Sequence, residues 1–168
     1  MRHKYLWVGS IIGVILVLDQ ITKHLVVKHI RLYEAIPVIP GFFILTHVRN
    51  KGAAFSLFAG MPDAFRRVFF ITVALAAVAA IAFLIKKTHE RLLVVAFSLV
   101  AGGAAGNVID RIRYGEVVDF ISVFIWSRVS FLNPWPSFNV ADSAITVGVG
   151  LLAIDMLLQK PKDTTKTI

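Results

Sequence analysis

Two carboxyl side chains beside long apolar runs are the strongest candidates for chemistry in this chain. Asp119 lies within the apolar stretch Val117 to Ile121, with no basic residue within four positions, and Asp142 follows Asn139 at the start of an apolar run. A carboxyl in apolar surroundings has a raised pKa and suits a proton donor. Two carboxyls brought close together cannot both ionise, so one acts as a base and the other as an acid on water. The two aspartates are therefore candidates for aspartic-peptidase chemistry.

The acids of this chain also have structural interpretations. Asn139 followed three residues later by Asp142 is a capping-box arrangement, so Asp142 is also interpretable as part of a helix cap. Asp19 has Lys23 four residues further on, which is the spacing of an ion pair within a helix. At the end of a later apolar run, the spacing predicts an ion-pair and hydrogen-bond cluster made of Asp110, Arg111 and Asn107.

Other chemistries have little support in the sequence. The chain has no cysteine, and its histidines include no pair at i, i+4, so no metal site is expected. Ser56 has no evident base partner and lies in no G-x-S-x-G motif. His47 is expected at the protein surface. Glycines of the first and third apolar runs are expected to let helices pack closely; they are Gly9, Gly13, Gly102, Gly103 and Gly106.

The elements that position these residues are long apolar runs. Hydrophobic residues make up 57% of the chain and charged residues 17%, and the mean hydropathy is +0.76. Spanning about 30 Å of hydrocarbon takes roughly 20 helical residues, and four runs reach about that length: 6–24, 68–85, 92–109 and 140–158. We therefore predict an all-α membrane protein with four transmembrane helices in a single domain, 1–168. The first run is interpreted as a retained anchor because no small-residue cleavage pattern follows it.

Two longer segments connect the spans on one side. In 25–67, Phe42 to Val48 predicts a strand, Asn50 to Gly52 a turn, and Ala53 to Phe58 a returning strand. We expect a small extramembrane β-structure, a β-cradle, lying against the membrane surface. Segment 111–139 carries many aromatic residues that favour the headgroup level, so an interfacial segment is expected there.

Four spans bring the polar residues of interest to a single bilayer edge, because the first and third spans end there and the fourth begins there. These residues are Asp19, Asn107, Asp110, Arg111, Asp119, Asn139 and Asp142. The net charge of +8 arises largely beside the spans, where lipid headgroups attract basic residues, so nucleic acid is not expected as a partner. Basic residues are densest in the short segments on the side of the termini, which predicts cytoplasmic termini.

Five short blocks occur in the order typical of one enzyme family. The chain resembles the lipoprotein signal peptidases, the bacterial membrane aspartyl peptidases also called signal peptidase II. The resemblance covers residues 19 to 142, and only the two termini fall outside it. The blocks are Asp19-Gln20-Ile21-Thr22-Lys23, Asn50 to Ser56, Gly102 to Arg111, Val117-Val118-Asp119-Phe120, and Phe138-Asn139-Val140-Ala141-Asp142.

The resemblance implies an aspartic endopeptidase that removes the signal peptide from diacylglyceryl-modified prolipoproteins, cleaving before the lipidated cysteine. It makes Asp119 and Asp142 the catalytic dyad, with no metal or organic cofactor. The residues it implies for substrate binding or site support are Asp19, Lys23, Asn50, Gly52, Asn107, Asp110, Arg111, Asn139 and Ala141.

The expected partners are lipid-modified prolipoproteins and membrane lipids. The expected form is a monomer in the bacterial cytoplasmic (inner) membrane, crossing it several times. With cytoplasmic termini, the active site faces the periplasmic, outer side.

Two other classes of function remain open. Intramembrane carboxylates also serve as proton relays, so a small proton-coupled transporter is the second hypothesis. A transporter needs polar residues that cross the bilayer from face to face, whereas the second span carries no charge. The third hypothesis is a non-catalytic lipid-binding or scaffold protein whose acids are caps and ion pairs. Cleavage of a synthetic lipidated peptide distinguishes the three.

Overall fold

Four long apolar helices form most of the computed structural model, which describes residues 3–52, 61–124 and 135–158. Each helix is long and apolar enough to cross a membrane, which confirms the predicted four-span architecture. The first three extend past the predicted spans at both ends, and the added residues include Lys4 and Asp110, polar residues with partners inside the bundle. The helices are α1 Lys4–His29, α2 Asp63–Lys87, α3 Arg91–Tyr114 and α4 Val140–Leu158.

Helix α3 is the centre of the bundle and packs against α1, α2 and α4. Small residues make this close approach feasible. A Cβ atom added at Gly102 would lie 3.1 Å from Ile15, and one added at Gly103 would overlap the backbone of Ala141. At Gly106 it would lie 2.6 Å from an Asp19 oxygen and 3.3 Å from Ala141 Cβ. The predicted close packing at these three glycines is confirmed.

The two glycines of α1 do not have this role. A Cβ atom added at Gly9 or Gly13 would meet nothing within 4 Å. Helix α1 instead turns Ile12, Ile15 and Asp19 towards α3, so Gly9 and Gly13 lie away from that contact. The expectation of close packing at Gly9 and Gly13 was wrong.

A three-stranded antiparallel sheet caps the bundle at the edge where α1 and α3 end. Its strands are β1 Ala35–Ile39, β2 Phe43–Asn50 and β3 Val117–Val123, in the order β1-β2-β3. The strand predicted over 42–48 is confirmed as β2. The segment predicted to be interfacial, 111–139, begins with the end of α3 and continues as β3, which pairs with β2. Its residues 125–134 lie outside the described residues. The returning strand predicted over 53–58 lies outside the described residues.

Strand β3 is held against both α1 and the start of α4. Val118 and Phe120 are buried with Val26 and Ile30 of α1. Ile121 forms an isolated β-bridge with Phe138, just before α4 begins. The register places Asp119 opposite Val48 of β2. A strand of mixed apolar and acidic residues is thereby fixed between two helix ends.

The turn from α3 into β3 depends on Gly115. This residue has φ +78° and caps α3, donating its backbone N–H to the carbonyl of Arg111. Such a left-handed conformation favours glycine because other residues carry a Cβ penalty there. The turn sends the chain directly from the membrane helix to the strand that carries Asp119.

His47 of β2 is 5% exposed, and its Nδ1 lies 2.9 Å from the Ile30 carbonyl. The expectation that it lies at the surface was wrong, because this face of β2 packs on the end of α1.

The opposite end of the bundle is fastened by Lys4. Its buried ammonium donates to the carbonyls of Ile85, Lys86 and Thr88 at the end of α2, at 2.9 to 3.1 Å. A cation at a helix C-terminus also complements the helix dipole. This contact joins the first helix to the second on the side away from the sheet.

Candidate active site

Asp119 is a buried carboxyl held by two neutral amides. Its side chain is 1% exposed. Asn139 Nδ2 donates to one carboxyl oxygen at 2.8 Å, and Asn50 Nδ2 donates to the other at 2.9 Å. Burial raises the pKa of Asp119 to about 7, outweighing these donors, and the charge of Asp142 adds to the rise. Asp119 therefore has the protonation behaviour expected of a general acid near neutral pH.

Asp142 belongs to a reciprocal cap at the start of α4. Asn139 Oδ1 accepts the backbone N–H of Asp142 at 2.8 Å, and Asp142 accepts the backbone N–H of Asn139 at 3.3 Å. This is the capping box predicted from the spacing, and it is confirmed. The other Asp142 oxygen accepts Asn107 Nδ2 at 2.7 Å. The cap leaves Asp142 half-buried rather than enclosed.

Asn139 connects the two carboxyls directly. Its Oδ1 accepts from the Asp142 backbone, which fixes the orientation of the amide and turns Nδ2 towards Asp119. Asn139 is fully buried, and Nδ2 is also 3.3 Å from the Val118 carbonyl. One residue therefore fixes both aspartates, the first through its side chain and the second through its backbone and side chain.

Asn50 is oriented by Gly52. The Gly52 N–H donates to Asn50 Oδ1 at 2.8 Å, so the amide nitrogen of Asn50 faces Asp119. Gly52 has φ +84°, and a Cβ atom there would lie 2.5 Å from the Phe70 ring. Both the turn and the close approach require glycine. Gly52, a candidate from the sequence, therefore contacts Asn50, which in turn contacts Asp119.

Below the dyad lies a buried ion cluster, which we term the Lys23 triad: Asp19, Lys23 and Asp110. The ammonium is 2.8 Å from Asp19 and 2.9 Å from Asp110, and the three side chains are at most 3% exposed. The i, i+4 pair predicted for Asp19 and Lys23 is confirmed. The predicted ion pair of Asp110 with Arg111 was wrong, because Asp110 turns across the helix interface towards α1. The Arg111 contact with Asn107 in the same predicted cluster is present.

The Lys23 triad also satisfies backbone groups around the dyad. Asp19 accepts the N–H of Ala141 in the first turn of α4 at 2.9 Å. Asp110 accepts the N–H of Val118, next to Asp119, at 3.1 Å. Lys23 donates to Asn107 Oδ1 at 3.0 Å. The triad therefore joins α1, α3, β3 and α4 at the point where the two aspartates meet.

Gln20 is a member of this cluster that the sequence did not single out. Its amide nitrogen donates to Asp110 at 3.1 Å and to Asp19 at 3.2 Å, and its oxygen accepts from Arg113. Its position next to Asp19 in the first block could have marked it as a candidate. However, no rule of sequence spacing predicts its contact with Asp110 on another helix.

Arg111 lies at the rim of the site. It is half-buried, its guanidinium lies 5.2 Å from the Phe70 ring centroid, and it contacts the Asn107 carbonyl at 3.5 Å. Coulombic attraction links it to Asp142 and Asp119. However, among the described residues no Lys or Arg nitrogen lies at ion-pair distance from either dyad carboxyl.

An apolar pocket of about 620 Å³ opens beside Asp142. Its lining includes Val123, Trp135, Phe138, Ser143, Thr146 and Val147. A pocket of about 650 Å³ along the start of α1 has no carboxyl in its lining and lies at the other end of the helix. Within the described residues no group of three or more His, Asp or Glu is placed to hold a metal ion. The dyad pocket thus combines an apolar surface with an accessible carboxyl.

Four membrane-length helices define an integral membrane protein, with two amide-held carboxyls at one edge and an apolar pocket beside Asp142. Comparison with known proteins gives the family. Residues 11–158 match the family model described as signal peptidase (SPase) II, and the chain belongs to that family. It is therefore a peptidase, as the five blocks predicted, and nothing in these comparisons favours a transporter.

Similar proteins match this chain over nearly its whole length. It is 50% identical over 159 residues to the lipoprotein signal peptidase of Geobacter metallireducens, covering 94% of each chain. It is 39% identical to that of Photorhabdus laumondii, covering 97% of this chain and 93% of the relative. A bacterial membrane enzyme solved by the in meso method at 1.9 Å resolution superposes with a TM-score of 0.79 at 33% identity, covering 91% of this chain and 94% of that one. A second bacterial membrane enzyme, solved by the same method at 2.3 Å resolution, superposes with a TM-score of 0.80 at 32% identity, covering 96% of this chain and 93% of that one.

Proposed function

We propose that this chain removes the signal peptide from diacylglyceryl-modified prolipoproteins, cutting before the lipidated cysteine, with Asp119 and Asp142 as its catalytic dyad. The observation that carries the proposal is the bridge through Asn139, which holds the buried Asp119 and ties it to Asp142, the carboxyl that lines an apolar pocket. Membership of the signal peptidase II family supports the substrate class.

The dyad hydrolyses the peptide bond without a covalent intermediate. One ionised carboxylate takes a proton from water as the water oxygen attacks the scissile carbonyl carbon. The protonated partner gives its proton to the carbonyl oxygen, which prevents a full negative charge from forming there. When the tetrahedral intermediate collapses, the C–N bond breaks and the leaving nitrogen takes from the dyad the proton that came from water. As the C=O bond re-forms, a hydroxyl of the intermediate returns its proton to the dyad. One shared proton remains, so the pair titrates as a unit.

The remaining candidates support this chemistry in three ways. Asn50, Asn107 and Asn139 orient the carboxyls through N–H donors. Asp19, Lys23 and Asp110 form the buried base of the site, and Ala141 of α4 packs against α3 beside them. Gly52 orients Asn50, and we assign substrate contact at the rim to Arg111.

We also propose an orientation in the bacterial inner membrane. Lys4, Lys86, Lys87 and Arg91 lie at the helix ends remote from the dyad, and basic residues favour the cytoplasmic side. The termini are then cytoplasmic and the site faces the periplasm, where the sheet and residues 135–139 rest against the lipid surface. The chain acts as a monomer and a single domain, in contact with membrane lipids.

The test is cleavage of a synthetic peptide that spans a prolipoprotein cleavage site and carries a diacylglyceryl cysteine. We expect the purified full-length protein in detergent to release a product that begins at the lipidated cysteine. The same peptide with an unmodified cysteine is the control for lipid dependence, and Asp142→Asn is the control for the dyad. Failure of the folded wild-type protein to cut the lipidated peptide contradicts the proposed function.

A further inference from the structure

Among the described residues, each of the two dyad carboxyls accepts two N–H donors, but the donors differ in kind. Asp119 accepts only side-chain amides among the described residues, those of Asn50 and Asn139. Asp142 accepts the Asn107 amide and a backbone N–H at the start of α4. A helix N-terminus favours negative charge. The donor sets therefore distinguish two carboxyls of the same residue type.

The Asn107 amide connects Asp142 to a cation. Its Oδ1 accepts from Lys23 Nζ at 3.0 Å and from Asn139 Nδ2 at 3.3 Å, so only its nitrogen is available to Asp142. An ammonium bound to the amide oxygen polarises the amide and strengthens its N–H donors. The resulting contact to Asp142, at 2.7 Å, is the shortest that either dyad carboxyl makes with the described residues. Such a length is usual for a hydrogen bond to an ionised carboxylate.

We propose that Lys23, acting through Asn107, is the positioning residue that keeps the negative charge of the resting dyad on Asp142 and leaves its proton on Asp119. This inference rests on the proposed function. It makes Asp142 the base that takes the proton of water and Asp119 the acid that protonates the carbonyl oxygen. Burial, which raises the pKa of Asp119 to about 7, agrees with that division.

Apart from the contact through Asn107, the charged groups around the dyad do not favour ionisation of one carboxyl over the other. Helix α1 contributes Asp19 and Lys23, and α3 contributes Asp110 and Arg111. These are two anions and two cations, which largely cancel. Strand β2 presents Asp119 with the neutral Asn50 amide. The direct contact through Asn107 therefore decides where the charge resides.

Two matched variants test the role of Lys23. Asp110→Asn removes one negative charge from the Lys23 triad, and Lys23→Met/Asp110→Asn restores the original net charge of the triad but without the ammonium. The measurement is the pH dependence of kcat/KM for the lipidated peptide, using the full-length protein. We expect the acid limb of the pH–rate profile to move to lower pH in Asp110→Asn, because one nearby anion is lost. In the double variant we expect it to move to higher pH, by ~1 unit, because the ammonium is lost.

A purely structural role for Lys23 predicts lower rates with acid limbs that coincide with the wild-type limb, and that result overturns the inference. Lys23→Arg keeps the charge, so we expect it to keep the wild-type limb. If thermal unfolding shows that the double variant does not fold, Asp110→Asn still decides, because an unmoved limb or a shift to higher pH overturns the inference. Substantial turnover by Asp142→Asn would instead overturn the proposed function itself.

Discussion

Two sets of aspartates meet at the same edge of the bundle, and they differ in what compensates their charge. Asp19 and Asp110 share the ammonium of Lys23 at 2.8 and 2.9 Å. Asp119 and Asp142 are held by N–H donors of asparagine side chains and backbone, without an ion pair among the described residues. Asp119 is as buried as the aspartates of the triad, at 1% exposed against 0% and 1%.

The comparison shows that burial alone does not make a carboxyl reactive. A cation beside a buried carboxylate favours the charged form and holds it there. Neutral amides fix the geometry of a carboxyl but provide less compensation for its charge, so burial still raises the pKa of Asp119 to about 7. We therefore propose that the ion-paired set provides structure and that the amide-held set keeps a proton that can move during the reaction.

The largest effect on stability is expected from removing the cation of the triad. Lys23→Met leaves two buried carboxylates without their ion-pair partner, and breaking a buried pair costs about 3–5 kcal/mol. The matched control is Lys51→Met, because Lys51 is 50% exposed and its ion pairs measure 3.6 and 3.7 Å. Exposed pairs contribute about 0–1 kcal/mol. Thermal unfolding in detergent measures the loss of stability in both variants. Equal losses in Lys23→Met and Lys51→Met would contradict a special structural role for the ion-paired aspartates.

A pH dependence of stability is expected from Asp119. Its pKa is about 7 in the folded chain against about 3.8 for an unperturbed carboxyl. Between these values the folded chain binds more protons than the unfolded chain, so this group lowers the free energy of unfolding as the pH rises from about 4 to about 7. The slope approaches ~1 kcal/mol per pH unit. Asp119→Asn removes it, so unfolding temperatures at pH 5 and pH 8 should lie closer together in the variant. An unchanged difference would contradict the raised pKa.

A smaller effect is expected from a methyl group placed against the triad. In Gly106→Ala the new Cβ lies 2.6 Å from an Asp19 oxygen that is already bound to Lys23. Such overpacking costs about 1–2 kcal/mol. Gly13→Ala is the control, because its Cβ meets nothing within 4 Å, and alanine is the better helix former. The unfolding temperature should fall for the first and stay or rise for the second; a fall for both would mean that helix contacts are not the cause.

Local patterns in the sequence predicted the features that depend on neighbouring residues along the chain. Four apolar runs predicted the helices, because hydropathy over about 20 residues decides whether a segment spans a bilayer. The spacing of Asn139 and Asp142 predicted the cap, since both partners lie in one helical turn. The order of the four spans predicted that the two carboxyls lie at the same bilayer edge, and the apolar neighbours of Asp119 marked it as a candidate.

Contacts between segments that are far apart in the chain could not be predicted from local sequence patterns. Asp110 has Arg111 beside it, but its partner is Lys23 on another helix. Strand β3 is a strand because it pairs with β2, whereas its aromatic and apolar residues resemble an interfacial segment. His47 and Lys4 are likewise buried by elements far away in the chain. In each case the deciding energy comes from packing between elements rather than from local pattern.

We propose that Asp119 and Asp142, the carboxyls without an ion pair among the described residues, are the reactive ones. Single-turnover cleavage of the lipidated peptide by Asp119→Asn tests this most directly. Asp63→Asn, which alters an exposed acid, is the matched control. We expect Asp119→Asn to remain folded, to gain stability at pH 8, and to lose at least ~1,000-fold in cleavage rate, because dyad members act as a unit. A folded Asp119→Asn protein that cleaves within tenfold of the wild-type rate would contradict the account.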